Sequence, residues 1–481
     1  MTTAPEWIAR SVSRLRGNRA TDGTAATTAK PEAVRSTHER LQATLKRGNE
    51  ALTPRALRRL LADLQEVVAP RVSEVEGGAR AQAVADWYAQ AEPGERRDMW
   101  LLMSEQFAPD ATRFQSARLR YEAAAGTEEE GQAEIHLRRA LVSPRTRLLQ
   151  RFAVFPQGMR FLVDLRAELL RDIKSDKRLL ALDAELEHLF STWFDVAFLE
   201  LRRLSWDSPA SLLEKLIQYE AVHDIRSWAD LKNRLDSDRR CYGFFHPRLP
   251  NEPLIFVEVA LVDRISDSIT PLLDEAAAPV EIQRATTAIF YSISNTQTGL
   301  RGVSFGDSLI KHVVETLKQE FPRLRTFATL SPIPGLRAWL GKHAGAMLER
   351  LDERGRAELG RAVGFEPPQA SHLLAAFDKA QGLDERSPVR QMLLQCAAHY
   401  LAGELQDGKP VDPVARFHLG NGARVERLNW AGDPSAKGHK QSFGLMVNYL
   451  YDLKRIDRHR AQLAEGQVAA SREIESLCAF R

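Results

Sequence analysis

A short segment of small and charged residues has the composition of a phosphate-binding loop. It runs from Arg301 to Ile310, between a predicted strand and a predicted helix. A strand, a small-residue loop and a helix in this order aim free backbone N–H groups at a phosphate. Gly302 and Gly306 allow close backbone approach, and Arg301 adds positive charge. The candidate phosphate-binding residues are Arg301, Gly302, Val303, Ser304, Phe305, Gly306 and Asp307.

This loop resembles the pyrophosphate loop of the acetyltransferase superfamily that uses coenzyme A. Arg301 and Gly306 would fill the two ends of that motif, and Ser304 stands where a middle glycine is usual. A strand-to-helix turn without any ligand is the open alternative. The dinucleotide-binding fingerprint fits less well, because its glycine spacing is not met.

A serine follows the next predicted strand. In the acetyltransferase superfamily two strands splay apart around the pantetheine arm of the coenzyme, and residues 288–295 and 326–330 would be those strands here. Ser331 would then lie at the end of the second strand, beside the acyl group. Pro332 and Pro334 restrict the backbone that follows this serine.

The N-terminal half of the chain has a helical pattern. Residues 1–37 predict a disordered tail, and residues 38–205 carry apolar residues three and four positions apart, without strand signals. Leu57, Leu60, Leu61 and Leu64 form one such apolar stripe. We therefore predict an antiparallel helical bundle over residues 38–205.

Residues 206–481 have a mixed pattern. Predicted strands cover residues 241–253 (ending in a tight loop), 253–262, 288–295 and 326–330. Predicted helices cover residues 209–219, a segment that begins near 227, 280–286, 307–321 and much of 336–406. Residues 414–419 and 423–430 predict a hairpin around Asn421-Gly422, followed by a loop over 431–442 and a closing helix. The predicted fold class is α+β: an all-α helical bundle, then an acetyltransferase-like (GNAT-type) mixed α/β domain.

Composition excludes several classes of function. Lys plus Arg total 67 and Asp plus Glu total 64, so the net charge of +3 disfavours nucleic acid or anionic membrane as the main partner. Three distant cysteines give neither a metal-binding spacing nor a disulfide framework. Apolar runs are too short to span a bilayer. We expect a bacterial cytoplasmic protein. The first 30 residues are basic and rich in Ala and Thr, and a mitochondrial transit peptide is the less favoured interpretation of this segment.

Several long segments resemble one family, the malonyl-CoA decarboxylases, in family order over about residues 206–456. These segments are CYGFFHPRLPNEPLIFVEVALV (241–262), FYSISNTQTGLRGVSFGDSLIK (290–311), TLSPIPG (329–335), RFHLGNGARVERLNWAGDPS (416–435) and FGLMVNYLYDL (443–453). The resemblance implies conversion of malonyl-CoA to acetyl-CoA and carbon dioxide without a metal or a separate cofactor, since coenzyme A is part of the substrate. It also implies homodimers or homotetramers assembled through the helical domain.

The resemblance further implies specific residue roles. The catalytic serine would be Ser331, the catalytic histidine would be His418, and residues 301–307 would bind the coenzyme. Some family members carry a glutamate where this chain has Ser304, so no role of that carboxylate transfers. We hypothesise that Ser331 protonates the α-carbon while His418 relays or resupplies the proton; the reverse assignment stays open.

Other residues in matching segments are candidates for the acyl pocket. They are Ser292, Asn448, Tyr449 and Tyr451, for each of which strand packing is an equal alternative. Lys437, His439 and Lys440 are either phosphate contacts or solvated charges, and the second interpretation is favoured. Two other functions stay open: a coenzyme A-dependent N-acyltransferase, and a scaffold that binds acyl-CoA without turnover. Carbon dioxide release without an acceptor would separate the decarboxylase from both.

Overall fold

The N-terminal region is helical, as predicted. We describe a computed structural model over residues 35–303 and 309–479. Residues 1–34, which contain most of the predicted tail, lie outside the described residues, as do residues 304–308 and 480–481. The helices of this region are α1 (Thr37–Gln42), α2 (Pro54–Val67), α3 (Glu74–Gln90), α4 (Pro93–Glu105), α5 (Ala111–Ala124), α6 (Glu130–Leu141), α7 (Pro144–Phe152), α8 (Gly158–Asp172) and α9 (Leu180–Trp193).

Local sequence explains where these helices begin and what they bury. The side chain of Thr53 caps α2 by accepting a hydrogen bond from the Ala56 N–H, and Pro54 occupies the first turn. Three of the four predicted leucines in the first stripe, Leu57, Leu60 and Leu64, are buried. The apolar spacing therefore predicted the buried face of α2 correctly.

The prediction that strand structure is absent before residue 206 was wrong. β1 (Glu200–Leu204) pairs antiparallel with β2 (Arg239–His246), which continues through a tight turn into β3 (Leu249–Val262). β1 thus belongs to the C-terminal sheet. Its short length and alternation with arginines hid it within a helical pattern, and pairing with a long neighbouring strand stabilises it.

The C-terminal region is built on one mixed sheet. Its other strands are β4 (Thr287–Asn295), β5 (Thr326–Thr329), β6 (Ser331–Pro332), β9 (Arg424–Asn429) and β10 (Met446–Leu450), while β7 (Leu405–Gln406) and β8 (Lys409–Pro410) form a separate small hairpin. The strand order is β1-β2-β3-β4-β5-β10-β6, and β9 also pairs with β10. The β4–β5 pair is parallel and the other pairs are antiparallel.

Helices surround this sheet. They are α10 (Ala210–Tyr219), α11 (Trp228–Arg234), α12 (Thr270–Leu273), α13 (Leu309–Glu320), α14 (Leu336–Glu349), α15 (Glu353–Val363), α16 (Ala370–Phe377), α17 (Pro388–Ala402), α18 (Pro413–Gly420), α19 (Ala436–Ser442), α20 (Ile456–Ala464) and α21 (Arg472–Cys478). Short 3₁₀ turns lie at Lys177–Leu179, Val196–Phe198, Ile282–Arg284, Thr298–Leu300 and Ala380–Gly382. Across the described ranges, no helix is both long and apolar enough to cross a membrane.

Three local predictions in this region were wrong. Residues 414–419 belong to a helix, α18, because Asp412 accepts hydrogen bonds from the Val414 and Ala415 N–H groups and Pro413 occupies the first helical position. The predicted loop 431–442 contains α19, which Ser435 caps through the Gly438 N–H. The predicted helix 280–286 is only a 3₁₀ turn.

The two central parallel strands separate toward one end of the sheet. β4 and β5 pair from Thr287–Thr326 to Phe290–Thr329, and Ser331 then pairs with Val447 of β10 instead. A register shift in the β3–β4 pairing leaves Tyr291 as an extra residue of β4, which bends that strand. The gap between β4 and β6 is where the sheet leaves room for a cavity.

Candidate active site

A cavity of about 640 Å³ occupies the gap between the separating strands. β4 supplies one wall, β6 another, and α18 closes a third side. Apolar residues form much of the lining, together with a few polar groups, which is the usual composition of a small-molecule site. The polar side chains at the wall are Ser292, Asn295, Ser331, Lys409, Arg416, His418 and Asn421.

Ser331 is fixed at the base of this cavity. Its backbone pairs with Val447, and its hydroxyl donates to Thr329 Oγ1 at 2.9 Å. Thr329 is itself held, because its Oγ1 accepts a hydrogen bond from the Tyr449 backbone N–H at 3.1 Å. The serine is 5% exposed, so its hydroxyl reaches the cavity but little bulk solvent.

His418 meets Ser331 from the last turn of α18. Its Nε2 lies 3.2 Å from Ser331 Oγ, although 87 residues separate the two in sequence. Asp412 caps the first turn of α18 and so fixes where this helix begins. The predicted Ser331–His418 hydrogen-bonded pair is thus present in the geometry of the structure.

A tyrosine completes the arrangement. The Tyr451 hydroxyl lies 2.8 Å from His418 Nδ1, and the imidazole stacks on the ring of Tyr449 at 4.7 Å between centroids. A hydroxyl has one proton, and that of Ser331 points to Thr329. His418 Nε2–H therefore donates to Ser331 Oγ, and Nδ1 accepts from the Tyr451 O–H.

Burial keeps these groups neutral. Removal from water lowers the pKa of His418 to about 3, because the imidazolium form would lose its hydration. The same desolvation raises the pKa of Tyr451 above its ordinary value. At neutral pH the site therefore holds a neutral imidazole between two hydroxyl groups.

The predicted phosphate loop is described only in its first part. Arg301 is exposed, Gly302 has φ of +82°, which favours glycine, and Val303 lines the cavity. Ser304, Phe305, Gly306 and Asp307 lie outside the described residues. Buried Arg166 of α8 donates to the carbonyl oxygens of Gly299 (2.8 Å) and Arg301 (2.9 Å), so the helical region anchors the start of this loop.

The other predicted pocket residues take different positions. Ser292 lines the cavity. Within the described chain, the cavity wall includes neither Asn448, Tyr449 nor Tyr451. Asn448 is fully buried and donates to the carbonyl oxygens of Ser266 (3.0 Å) and Thr329 (2.7 Å), which is a packing role. Tyr449 and Tyr451 lie behind the cavity, against His418.

Two charged side chains outside the cavity, Lys437 and Glu258, make structural contacts. Lys437 Nζ donates to the carbonyl oxygens of Ala221 (2.8 Å) and Val222 (2.9 Å). Glu258 is buried and accepts from Arg234 Nη1 at 3.2 Å. Among the residues that the structure describes, no cluster of three or more His, Cys, Asp or Glu side chains is placed to hold a metal ion.

Family models match most of this architecture. The malonyl-CoA decarboxylase N-terminal domain matches residues 107–194, and the malonyl-CoA decarboxylase C-terminal domain matches residues 197–480, so the two cover well over half of the chain. This chain belongs to the malonyl-CoA decarboxylase family. The resemblance inferred from the sequence segments is thereby confirmed.

Individual relatives agree with the assignment to the malonyl-CoA decarboxylase family. The mitochondrial malonyl-CoA decarboxylase of Anser anser anser is 35% identical over 420 residues, 82% of each chain, and that of Mus musculus is 39% identical over 366 residues, 72% of this chain and 74% of its own. Two crystal structures of malonyl-CoA decarboxylases share the fold. The protein from Rhodopseudomonas palustris is 41% identical, with a TM-score of 0.75 over 87% of this chain and 99% of its own. The protein from Cupriavidus metallidurans is 44% identical, with a TM-score of 0.72 over 88% of this chain and 100% of its own.

Two polar residues at this malonyl-CoA decarboxylase family site have no counterpart among the sequence predictions. Thr329 Oγ1 accepts a hydrogen bond from Ser331 Oγ at 2.9 Å, and Glu220 accepts one from Ser292 Oγ at 2.8 Å. Thr329 lies in the predicted strand directly before Ser331, so its proximity was readable from the sequence. Glu220 lies 72 residues from Ser292, and local sequence carries no signal that joins them.

Proposed function

We propose that this chain converts malonyl-CoA to acetyl-CoA and carbon dioxide. The observation that carries the proposal is the hydrogen-bonded chain Tyr451–His418–Ser331 at the wall of a cavity between separating strands. The names of the relatives identify them as malonyl-CoA decarboxylases, and the family's C-terminal domain matches residues 197–480, which include all three side chains.

We also propose that the C-terminal region binds coenzyme A as an acetyltransferase-like (GNAT-type) domain does. The support is geometric: β4 and β5 separate after the Phe290–Thr329 pair, Tyr291 forms a bulge, and Gly302 lies where a loop joins β4 to α13. The pantetheine arm would lie in the gap, with the thioester toward Ser331. No separate cofactor is needed, because the thioester itself accepts the electrons released by decarboxylation.

The reaction has a simple proton balance. The bond between the α-carbon and the carboxylate breaks, carbon dioxide leaves, and its electron pair forms the enolate of acetyl-CoA. The Ser331 hydroxyl turns from Thr329 to the substrate and gives its proton to the α-carbon, and His418 Nε2–H gives a proton to Ser331 Oγ. Tyr451 O–H then supplies Nδ1 of His418. As the product leaves, a proton from solvent in the emptied cavity returns along the same chain, from Ser331 through His418 to Tyr451, and restores the starting protonation state.

Assembly into a homodimer or homotetramer through the helical region is a further part of the proposal. Within the described chain, α5 buries only Ala124. Apolar side chains at Leu119, Ile135 and Val142 in and around α5 and α6 are 53%, 44% and 62% exposed, which is an apolar surface suited to a second copy. Light scattering of the purified protein measures the mass directly, and a monomer at micromolar concentration would contradict this assembly.

One experiment tests the proposed reaction. Purified, metal-stripped protein is mixed with malonyl-CoA, without any acyl acceptor, while acetyl-CoA and carbon dioxide are followed together. We expect equal amounts of both products, nearly abolished in Ser331→Ala and His418→Ala. His188→Ala, which removes an exposed histidine of α9, is the matched control and should retain wild-type turnover. Product formation that requires an amine acceptor would favour an acyltransferase, and binding without product would favour a scaffold.

A further inference from the structure

A carboxylate lies directly behind one polar group of the cavity wall. Glu220 accepts hydrogen bonds at Oε1 from the backbone N–H groups of Val222 (2.7 Å) and His223 (2.8 Å). Ser292 Oγ lies 2.8 Å from both carboxylate oxygens, and Ser294 Oγ donates to Oε2 at 3.2 Å. Four donors therefore converge on one buried carboxylate.

The direction of the Ser292 hydrogen bond follows from this arrangement. An ionised carboxylate can only accept, so the single hydroxyl proton of Ser292 points to Glu220. Ser292 lines the cavity, and its oxygen has no second proton, so toward a bound group this hydroxyl can only accept a hydrogen bond. A substrate group bound there must be a hydrogen-bond donor.

The segment that carries the carboxylate is held from outside as well. Lys437 of α19 donates to the carbonyl oxygens of Ala221 and Val222, and the Ala221 N–H donates to Ser294 Oγ at 3.2 Å. Val222 also lines the cavity. Fixed main-chain and side-chain contacts on both sides keep Glu220 in place without substrate, which is the preorganisation that a positioning group needs.

We infer that Glu220 is a positioning residue that holds Ser292 as a hydrogen-bond acceptor for an amide N–H of the pantetheine arm. The inference rests on the proposed function, because it takes a malonyl thioester of coenzyme A as the ligand. The malonyl carboxylate and the thioester oxygen only accept, whereas the pantetheine amides can donate. The charge of Glu220 also repels the malonyl carboxylate, so the substrate enters with its carboxylate away from the Ser292 wall.

Binding measurements with two thioesters test this assignment. Acetyl-CoA and malonyl-CoA share the pantetheine arm and differ in the carboxylate. Calorimetric Kd values are measured for both in a Ser331→Ala background, where turnover is removed, and for acetyl-CoA in the otherwise wild-type protein. Ser292→Ala should weaken both ligands equally, by about two- to twelvefold, which corresponds to one neutral hydrogen bond.

Ser294→Ala is the matched control. Ser294 donates to the same carboxylate, but within the described chain it does not line the cavity, so this variant should keep the wild-type Kd for both ligands. Glu220→Gln keeps an oxygen for the two backbone N–H groups, while its amide N–H₂ donates to Ser292 and turns the serine proton into the cavity. It should weaken both ligands as Ser292→Ala does, and should add nothing further in the double variant Glu220→Gln/Ser292→Ala.

The possible outcomes separate this inference from the proposed reaction. Weakening of malonyl-CoA alone would mean that Ser292 binds the carboxylate, and equal weakening by Ser294→Ala would mean a packing effect; either result overturns the inference. If Glu220→Gln does not fold, the comparison of Ser292→Ala with Ser294→Ala still decides. If the binding pattern is as expected but the wild-type protein releases no carbon dioxide, the role of Glu220 is supported and the proposed reaction is refuted.

Discussion

Replacing Tyr451 by Phe isolates one hydrogen bond of the site. The change removes only the hydroxyl that donates to His418 Nδ1 at 2.8 Å and keeps the ring that packs beside the imidazole. Nδ1 then becomes a buried acceptor without a donor, or it takes the imidazole proton itself. In the second case Nε2 becomes an acceptor and can no longer supply a proton to Ser331.

The magnitude follows from the cost of an unsatisfied buried group, about 1–3 kcal/mol. Because the relay in the proposed mechanism operates during the reaction, this cost should appear in the barrier. It corresponds to a fall in kcat of about 5- to 160-fold. The KM for malonyl-CoA should stay within about twofold of the wild-type value, because Tyr451 lies outside the cavity wall and its hydroxyl makes no substrate contact there.

Tyr449→Phe is a matched control for this measurement. Tyr449 stacks on the same imidazole, and its buried hydroxyl has no hydrogen-bond partner among the described residues. Its removal should therefore leave kcat near the wild-type value. A wild-type kcat in Tyr451→Phe, or an equal loss in Tyr449→Phe, would refute the relay, since the first removes its donor and the second only disturbs its surroundings.

Three further predictions concern stability. The folded-state pKa of His418, about 3, lies below the ordinary value near 6.5, so its contribution to the free energy of unfolding is complete above about pH 6.5 and is lost as pH falls toward 3. In urea unfolding at several pH values, the free energy of unfolding should therefore fall less steeply with acid in His418→Gln than in the wild type. Asp412→Ala removes the cap of α18 and should cost about 0.5–2 kcal/mol, seen as a lower Tm, with reduced kcat. Arg234→Met removes the guanidinium that pairs with buried Asp230 and Glu258, and Asp230 then keeps only the Arg226 N–H and a longer ion pair with the Arg226 guanidinium. The change should cost about 3–5 kcal/mol in denaturant unfolding; an unchanged midpoint would contradict the prediction.

Long periodic elements were predictable from the sequence, whereas the element that carries the histidine was not. β4 and α13 have unambiguous β-branched and helical patterns, and both formed as predicted. Residues 414–419 also looked like a strand, because Asn421-Gly422 between apolar residues is a strong hairpin signal. Gly422 does turn the chain, with φ of +82°, but it joins a helix to a strand. The cap Asp412 with Pro413 was the competing signal that decided the structure.

The faces of β10 explain why Asn448 and Tyr451 were misplaced in the pocket. Side chains alternate along a strand, so Tyr449 points away from Asn448, and Tyr451, which directly follows β10, contacts the same imidazole as Tyr449. The sequence gives this alternation, but it does not say which face a helix from another part of the chain will cover. α18 packs on the tyrosine face, which places His418 between the tyrosines and the cavity.

The neutrality of the site suits the reaction that we propose. Loss of carbon dioxide leaves a carbanion equivalent that needs a proton, so the site requires a donor and no strong base. A buried imidazolium would be costly, and the lowered pKa of His418 reflects that cost. In a chain of hydroxyl, imidazole and hydroxyl, both Ser331 and His418 can accept one proton as they release another, so the imidazole does not have to become charged. In the proposed mechanism, the same burial that prevents His418 from storing a proton therefore suits it to pass one from Tyr451 to Ser331.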